Sequence, residues 1–233
     1  MKLTFRRSGD RGHADHGWLK SYHTFSFADY YDPAHMGFRS LRVINEDWVT
    51  AGKGFPTHPH RDMEIFTVMA GGTLEHRDSM GNSRQIKPGQ IQVMSAGSGV
   101  THSEFNPSSA EPAHLLQIWI LPETHGLPPR YTEWQPDAAR AGDSKVLIIS
   151  RDGRDGSASI AQDASVYRVK LQPGESLMHE VQSGRGAWFQ LIKGRATAHA
   201  HTLSAGDAFS TESAGTLEIA ATEAVDALLF DLK

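Results

Sequence analysis

From residue 36 onward the chain alternates short apolar runs with turn residues at close intervals. The runs are rich in β-branched and aromatic side chains: SLRVINEDWV (40–49), EIFTVMAG (64–71), GTLEHRDS (72–79), QIQVMSAG (90–97) and HLLQIWILP (114–122). Many short strands punctuated by Gly, Pro and Asn predict an all-β sandwich or barrel. In the last run Leu115, Gln117 and Trp119 alternate with Leu116, Ile118 and Ile120. Both faces are largely apolar, which predicts a strand covered on both sides. Met80-Gly81-Asn82 and Lys87-Pro88-Gly89 are turn signals, because Gly tolerates positive φ and Pro presets its own. Together they predict a hairpin that delivers SAGSGVTHSEF to an opposite sheet.

The stretch 121–143 carries four prolines and few apolar residues in register. It reads as a linker with a short helix near Asp137–Ala141. Strand-like runs resume after it in SKVLIISRDG, ASVYRVKLQPGE, AWFQLIKGRATAHAHTLSAGDAF, TLEIAATEA and VDALLFDLK. Both halves run strand, Gly-containing turn, His, polar insert, strand, Gly turn, strand. We read this as a weak internal repeat of one module, with one domain over 1–135 and a second over 136–233. A chain of 233 residues with 39% hydrophobic positions can build two such cores.

Charge and composition narrow the function. A formal charge of -4 argues against a nucleic-acid surface. There is no cysteine, which removes disulfides, thiolate metal sites and a cysteine nucleophile. The first twenty residues lack the apolar core of a signal peptide, and no run is long enough to span a membrane. These features lead us to expect a cytoplasmic protein with neither membrane nor nucleic acid as partner.

Histidine is the outlier, with 13 residues, and spacing singles out four positions. His58 and His60 in HPHRDME, and His102 and Glu104 in THSEFN, form two i, i+2 pairs. Such pairs share one face of a strand and can aim into one cavity. Three imidazoles and a carboxylate make a mixed N/O donor set that suits a first-row divalent metal such as iron. Glu64, at i+4 from His60, would share that face if the strand stayed regular. Spacing therefore leaves open whether Glu104 or Glu64 completes the set, the other serving as a partner that orients a ligand histidine. His13 and His16 lie between glycines in a loop and are not assigned as ligands. In the second half His179 has Val181 where a partner histidine would stand. The pair His199 and His201 falls one strand late, in a solvent-facing position. No metal is expected there, only a scaffolding domain.

The frame around these residues resembles two signatures of the cupin superfamily. One is Gly52, His58, His60, Glu64 and Gly71; the other is Gly99, His102 and Asn106, with Gly97 and Ile91 departing from its turn positions. The longer blocks RGHADHGWLKSYHTFSFADYYDPAHMGFRSLRVINEDWV, FPTHPHRDMEIFTVMAGGTLEHRDSMGN and QVMSAGSGVTHSEFNPS resemble the pirin family, especially bacterial pirin-like quercetin 2,3-dioxygenases. They cover most of residues 11–122; the second half is similar mainly in its closing LLFDL.

The resemblance implies a bicupin of two jelly-roll barrels face to face, with one metal, Fe(II) or another divalent ion, in the N-terminal barrel. It implies His58, His60, His102 and Glu104 as ligands, Glu104 also as general base, and Glu64 beside them. The implied reaction opens a flavonol with O₂ and releases carbon monoxide. Phe25, Phe27, Tyr30, Tyr31 and Phe38 are candidates for an apolar wall around a flat polyphenol. The alternative reading is a redox-sensing regulatory protein that binds a transcription factor or a metabolic enzyme. A bicupin already pairs its sheets internally, so a monomer is expected.

Overall fold

The computed structural model describes residues 1–140 and 142–233. In the first part of the chain the strands are β1 (Thr4–Arg6), β2 (Gly12–Asp15), β3 (Leu19–His23), β4 (Leu41–Val49), β5 (Gly54–His60), β6 (Glu64–Gly71), β7 (Leu74–Asp78), β8 (Ser83–Ile86), β9 (Ile91–Ser95), β10 (Val100–Phe105), β11 (Ala113–Ile120) and β12 (Arg130–Trp134). They are followed by β13 (Lys145–Ser150), β14 (Ala158–Ser159), β15 (Ala164–Leu171), β16 (Ser176–Val181), β17 (Gly186–Lys193), β18 (Arg195–Ala198), β19 (His201–Ser204), β20 (Ala208–Thr211), β21 (Gly215–Ala221) and β22 (Val225–Leu232). Among the described residues helix is confined to short 3₁₀ turns, and no helix is long and apolar enough to cross a membrane. The all-β expectation holds.

The chain forms two compact units that interleave in sequence. One comprises Gly12–Pro136 with Ala158–Gln162; the other comprises Met1–Arg11, Asp137–Ser157 and Asp163–Lys233. The first residues belong to the second unit because β1 pairs antiparallel with β20, Phe5 opposite Phe209.

In the N-terminal unit a large sheet runs β12-β9-β6-β11-β4-β3-β2 and a small one runs β5-β10-β7-β8. The hairpin after β7 and the turn at Lys87–Gln90 carry the chain from the small sheet into β9, and β10 then returns to the small sheet. β11 lies between β4 and β6, and Leu115, Leu116, Ile118 and Ile120 are all buried, as its two apolar faces predict. The supposed linker holds an edge strand instead: β12 pairs with β9 from Arg130 to Trp134. An edge strand needs no apolar run, so its mixed sequence concealed it. The expected helix near 137–141 is a 3₁₀ turn at Ala138–Arg140; residue 141 lies outside the described residues.

The inner face of the large sheet is banded. Leu19, Val49, Leu115 and Met69 meet Leu74 and Ile86 of the small sheet in one apolar cluster. Ile65 and Met94 form another with Ala96 and Val100. Between these bands, strand register lines up His23, Asn45, Gln117, Thr67 and Gln92 across β3, β4, β11, β6 and β9. All five are buried. A polar row through a core is stable only when its members are hydrogen-bonded, and the partners it finds are the residues of the site below.

The C-terminal unit repeats the two-sheet plan, with β1-β20-β17-β22-β15-β13 in one sheet and β16-β21-β18-β19 in the other. Its interior is apolar, with Phe189, Phe209, Leu217, Leu229 and Ala227 fully buried. His199 and His201 are exposed, and His179 is buried against Asp231 at 3.0 Å. No group of three metal-ligating side chains is found in this unit among the described residues.

Candidate metal centre

His58 and His60 share one face of β5, and β10 pairs beside it with His102 directly opposite His58. One ring nitrogen from each of the three lies within 4.8 Å of the others. His102 Nε2 is 3.0 Å from His58 Nε2 and 3.0 Å from His60 Nε2. The close approach of β5 to β10 requires a glycine at 54, where a Cβ would stand 2.1 Å from the Glu104 carbonyl oxygen.

The tautomers can be assigned from their partners. His58 Nδ1 is 2.7 Å from the Pro56 carbonyl, which can only accept, so Nδ1 carries the proton and Nε2 is a bare lone pair. His76 Nε2 donates to Asp78 Oδ2 at 3.1 Å. Its Nδ1 accepts from Gln92 Nε2 at 2.7 Å and faces His102 Nδ1 at 3.4 Å. That arrangement places the His102 proton on Nδ1 and leaves its Nε2 bare as well. Burial and the charge of His58 lower the pKa of His60 to about 4. Burial and the charges of His58, His60 and His76 lower that of His102 to about 2. The His60 and His102 rings are therefore neutral at physiological pH.

The lone pairs on His58 Nε2 and His102 Nε2, 3.0 Å apart, repel one another unless a cation lies between them. Metal–nitrogen bonds of about 2.1 Å place neighbouring donors about 3.0–3.4 Å apart, so the three imidazoles fit a divalent metal.

The carboxylates diverge. Pairing of β10 with β5 slips between His102 and Glu104, so Glu104 stands opposite Phe55 on that side and opposite His76 of β7 on the other. It groups with His102 and His76. It is fully buried and accepts hydrogen bonds from Thr67 Oγ1 at 3.3 Å and from Gln117 Nε2. Burial, reinforced by the charge of Asp47, raises its pKa to about 7. Glu64 belongs to neither group. The regular strand that would bring it to His60 breaks at 61–63, where Asp62 has φ 47, and β6 enters the other sheet. There Glu64 accepts from Ser95 Oγ at 2.6 Å, and burial raises its pKa despite that bond.

The polar row thus holds the site from behind. Gln92 fixes His76, which fixes His102, while Thr67 and Gln117 hold Glu104. Sequence reading missed His76, Gln92, Thr67 and Gln117. For Thr67, Gln92 and Gln117 the available signal was a polar residue interrupting an apolar run; His76, in the polar strand LEHRD, carried none. Groups that orient metal ligands are commonly worth about 10–100-fold in metal affinity. His76→Ala is expected to weaken metal binding by that factor, measured by competition with a chelator, while His58 and His60 keep their places on β5.

His58 and His60 open onto a cavity of about 550 Å³, within the roughly 300–1,000 Å³ usual for small-molecule pockets. Of the proposed aromatic wall, Phe27 and Tyr30 line it. Phe25 is buried elsewhere, Tyr31 is exposed, and Phe38 pairs with Leu41 outside it. Phe55 and Trp119 complete the wall, Trp119 meeting the His60 ring edge-on at 4.9 Å. His13 and His16 lie on the rim.

A family model described as pirin matches residues 4–120, and one described as quercetinase C-terminal cupin domain matches 147–232. The chain belongs to the pirin family. A relative from Escherichia coli K12, named quercetin 2,3-dioxygenase, is 49% identical over 99% of this pirin and 98% of its own length. The crystal structure of YhhW from E. coli superposes with TM-score 0.96 at 48% identity, covering 100% of this chain and 98% of that one. A second structure, described as bacterial pirin YhhW in complex with nickel(II), gives TM-score 0.94 at 47% identity and 99% coverage of both chains.

Proposed function

We propose that this pirin is a metal-dependent dioxygenase that opens a flavonol such as quercetin with O₂ and releases carbon monoxide. The observation that carries the reading is the convergence of three imidazole Nε2 atoms, that of His102 lying 3.0 Å from those of His58 and His60, beside a cavity walled by aromatic rings. The family membership and the names of its relatives support the same class of chemistry. His58, His60 and His102 are assigned as ligands and Glu104 as the fourth. Fe(II) is the proposed native ion; the nickel complex described for the E. coli pirin supports a site that accepts several divalent ions. When bound, the metal would acidify a coordinated hydroxyl and hold substrate and O₂ together.

The protein's own contributions follow from its side chains. Phe27, Phe55 and Trp119 offer flat apolar faces to an aromatic substrate and exclude water from it. Glu104, oriented by Thr67 and Gln117, is assigned the proton released from the substrate hydroxyl, taken at a carboxylate oxygen. Trp119 Nε1 donates to Gln117 Oε1 at 3.2 Å, which keeps the Gln117 amide turned toward Glu104.

Iron-loaded protein incubated with quercetin should consume O₂ and bleach flavonol absorbance, with carbon monoxide in the headspace. The His58→Ala variant should show only background. Equal rates in the two proteins would sink the assignment.

A further inference from the structure

The cavity wall contributed by the large sheet is not apolar throughout. β3 and β4 bring Ser21 opposite Asp47, and His23 opposite Asn45, and all four line the cavity. Most of these polar groups are already engaged. Asn45 Oδ1 meets His23 Nδ1 at 2.9 Å, and Gln117 is held between Glu104 and Trp119. Asp47 differs. It is 3% exposed, Ser21 bonds its carboxyl, and its Oδ1 has no hydrogen-bond partner in the protein. A buried acceptor without a donor costs stability that a ligand can restore by supplying one.

We propose that Asp47 is a specificity-determining residue: its carboxyl accepts a hydrogen bond from a phenolic hydroxyl of a polyhydroxylated aromatic ligand whose reacting end lies at His58 and His60. The proposal rests on the dioxygenase reading above. His58 and His60 stand on the small sheet and Asp47 on the large one, so a ligand filling the cavity meets both. The chemistry of the lining selects the donor. A cationic ligand would meet a bound metal ion at His58 and His60. A carboxylate ligand brings no hydrogen to donate to Asp47 Oδ1. A neutral hydroxyl on an aromatic ring satisfies Asp47 and lets the ring pack on Phe27, Phe55 and Trp119.

A site built around a substrate hydroxyl discriminates against the analogue lacking it, because the buried acceptor is then left unmatched. The test compares quercetin with flavonols each missing one hydroxyl, among them kaempferol and galangin, on metal-loaded wild type, Asp47→Ala and Asp47→Asn. Two quantities are read for each pair: kcat/KM in air, and the anaerobic dissociation constant from tryptophan quenching. One hydroxyl should be worth at least about 10-fold to wild type and less than about 2-fold to Asp47→Ala. Asp47→Asn, which keeps an acceptor oxygen and nearly the same shape, should retain part of the preference; it carries the comparison if Asp47→Ala fails to fold. A wild-type protein that binds the series but turns none over would defeat the dioxygenase reading, and the dissociation constants would still decide on Asp47. The inference is overturned if no hydroxyl's contribution depends on residue 47, or if no member of the series binds.

Discussion

His102→Ala should leave a folded protein that no longer holds its metal. His102 is the residue through which the other two imidazoles meet, 3.0 Å from each, and it is 1% exposed. Without it, two half-buried histidines remain on one strand, and an i, i+2 pair alone is an ordinary surface chelate. We expect metal affinity to fall at least about 100-fold and turnover to reach background. The loss has a thermal signature. A ligand that binds only the native state stabilises it by about 2.7 kcal/mol at a hundred times its dissociation constant. Added metal should therefore raise the melting temperature of the wild type and leave His102→Ala unmoved. The melt of metal-depleted variant provides the folding control. If the variant were purified with one tightly held metal per chain, the three-histidine site would be wrong.

The fold was legible because its determinants are local. Turn residues divide the chain, and the alternation around Gln117 announces a strand covered on both faces. The histidine pairs were legible for the same reason: i and i+2 share a face whatever the strand's neighbours do. Features set by register between distant strands were hidden. Glu64 stood at a plausible spacing from His60, but that spacing assumed a regular strand, and Asp62 breaks it with a left-handed backbone. Glu104 shares a face with His102, yet a register slip against β5 puts it opposite Phe55. The polar row looked like isolated interruptions in apolar strands. Only pairing across five strands turns His23, Asn45, Gln117, Thr67 and Gln92 into one support. The aromatic wall failed as a list for a similar reason. The segment after β3 turns through Ala28, which has positive φ. Phe27 and Tyr30 reach the cavity from it while Tyr31 points to solvent. Nothing near residues 4–6 reveals that their partners lie at 208–210.

The second unit carries its own large effect, on stability rather than chemistry. Where a metal-binding cupin would use a histidine as ligand, His179 is instead held by Asp231 at 3.0 Å. Arg185 donates to the same carboxylate, to the Asp231 carbonyl at 3.1 Å, and to Asp163 at 2.9 Å. Asp231→Ala leaves a buried imidazole and a largely covered guanidinium without their shared acceptor. Removing one partner of a fully buried pair costs about 3–5 kcal/mol. Arg185 keeps Asp163 and is about a fifth exposed, so about 3 kcal/mol is expected, read from urea unfolding. The pH dependence identifies the cause. Burial pushes the Asp231 pKa up, but the hydrogen bonds from His179 and Arg185 and their charges outweigh it and hold it below the ordinary 3.8. A carboxylate with a depressed pKa stabilises the native state fully above its unfolded value, and the contribution fades as pH falls through the folded one. The Asp231 carboxylate's share of the gap between wild type and Asp231→Ala should therefore be fully present above about pH 4 and shrink below it. A gap that persisted unchanged into strong acid would mean that Asp231 acts by packing, and that its charge holds neither His179 nor Arg185.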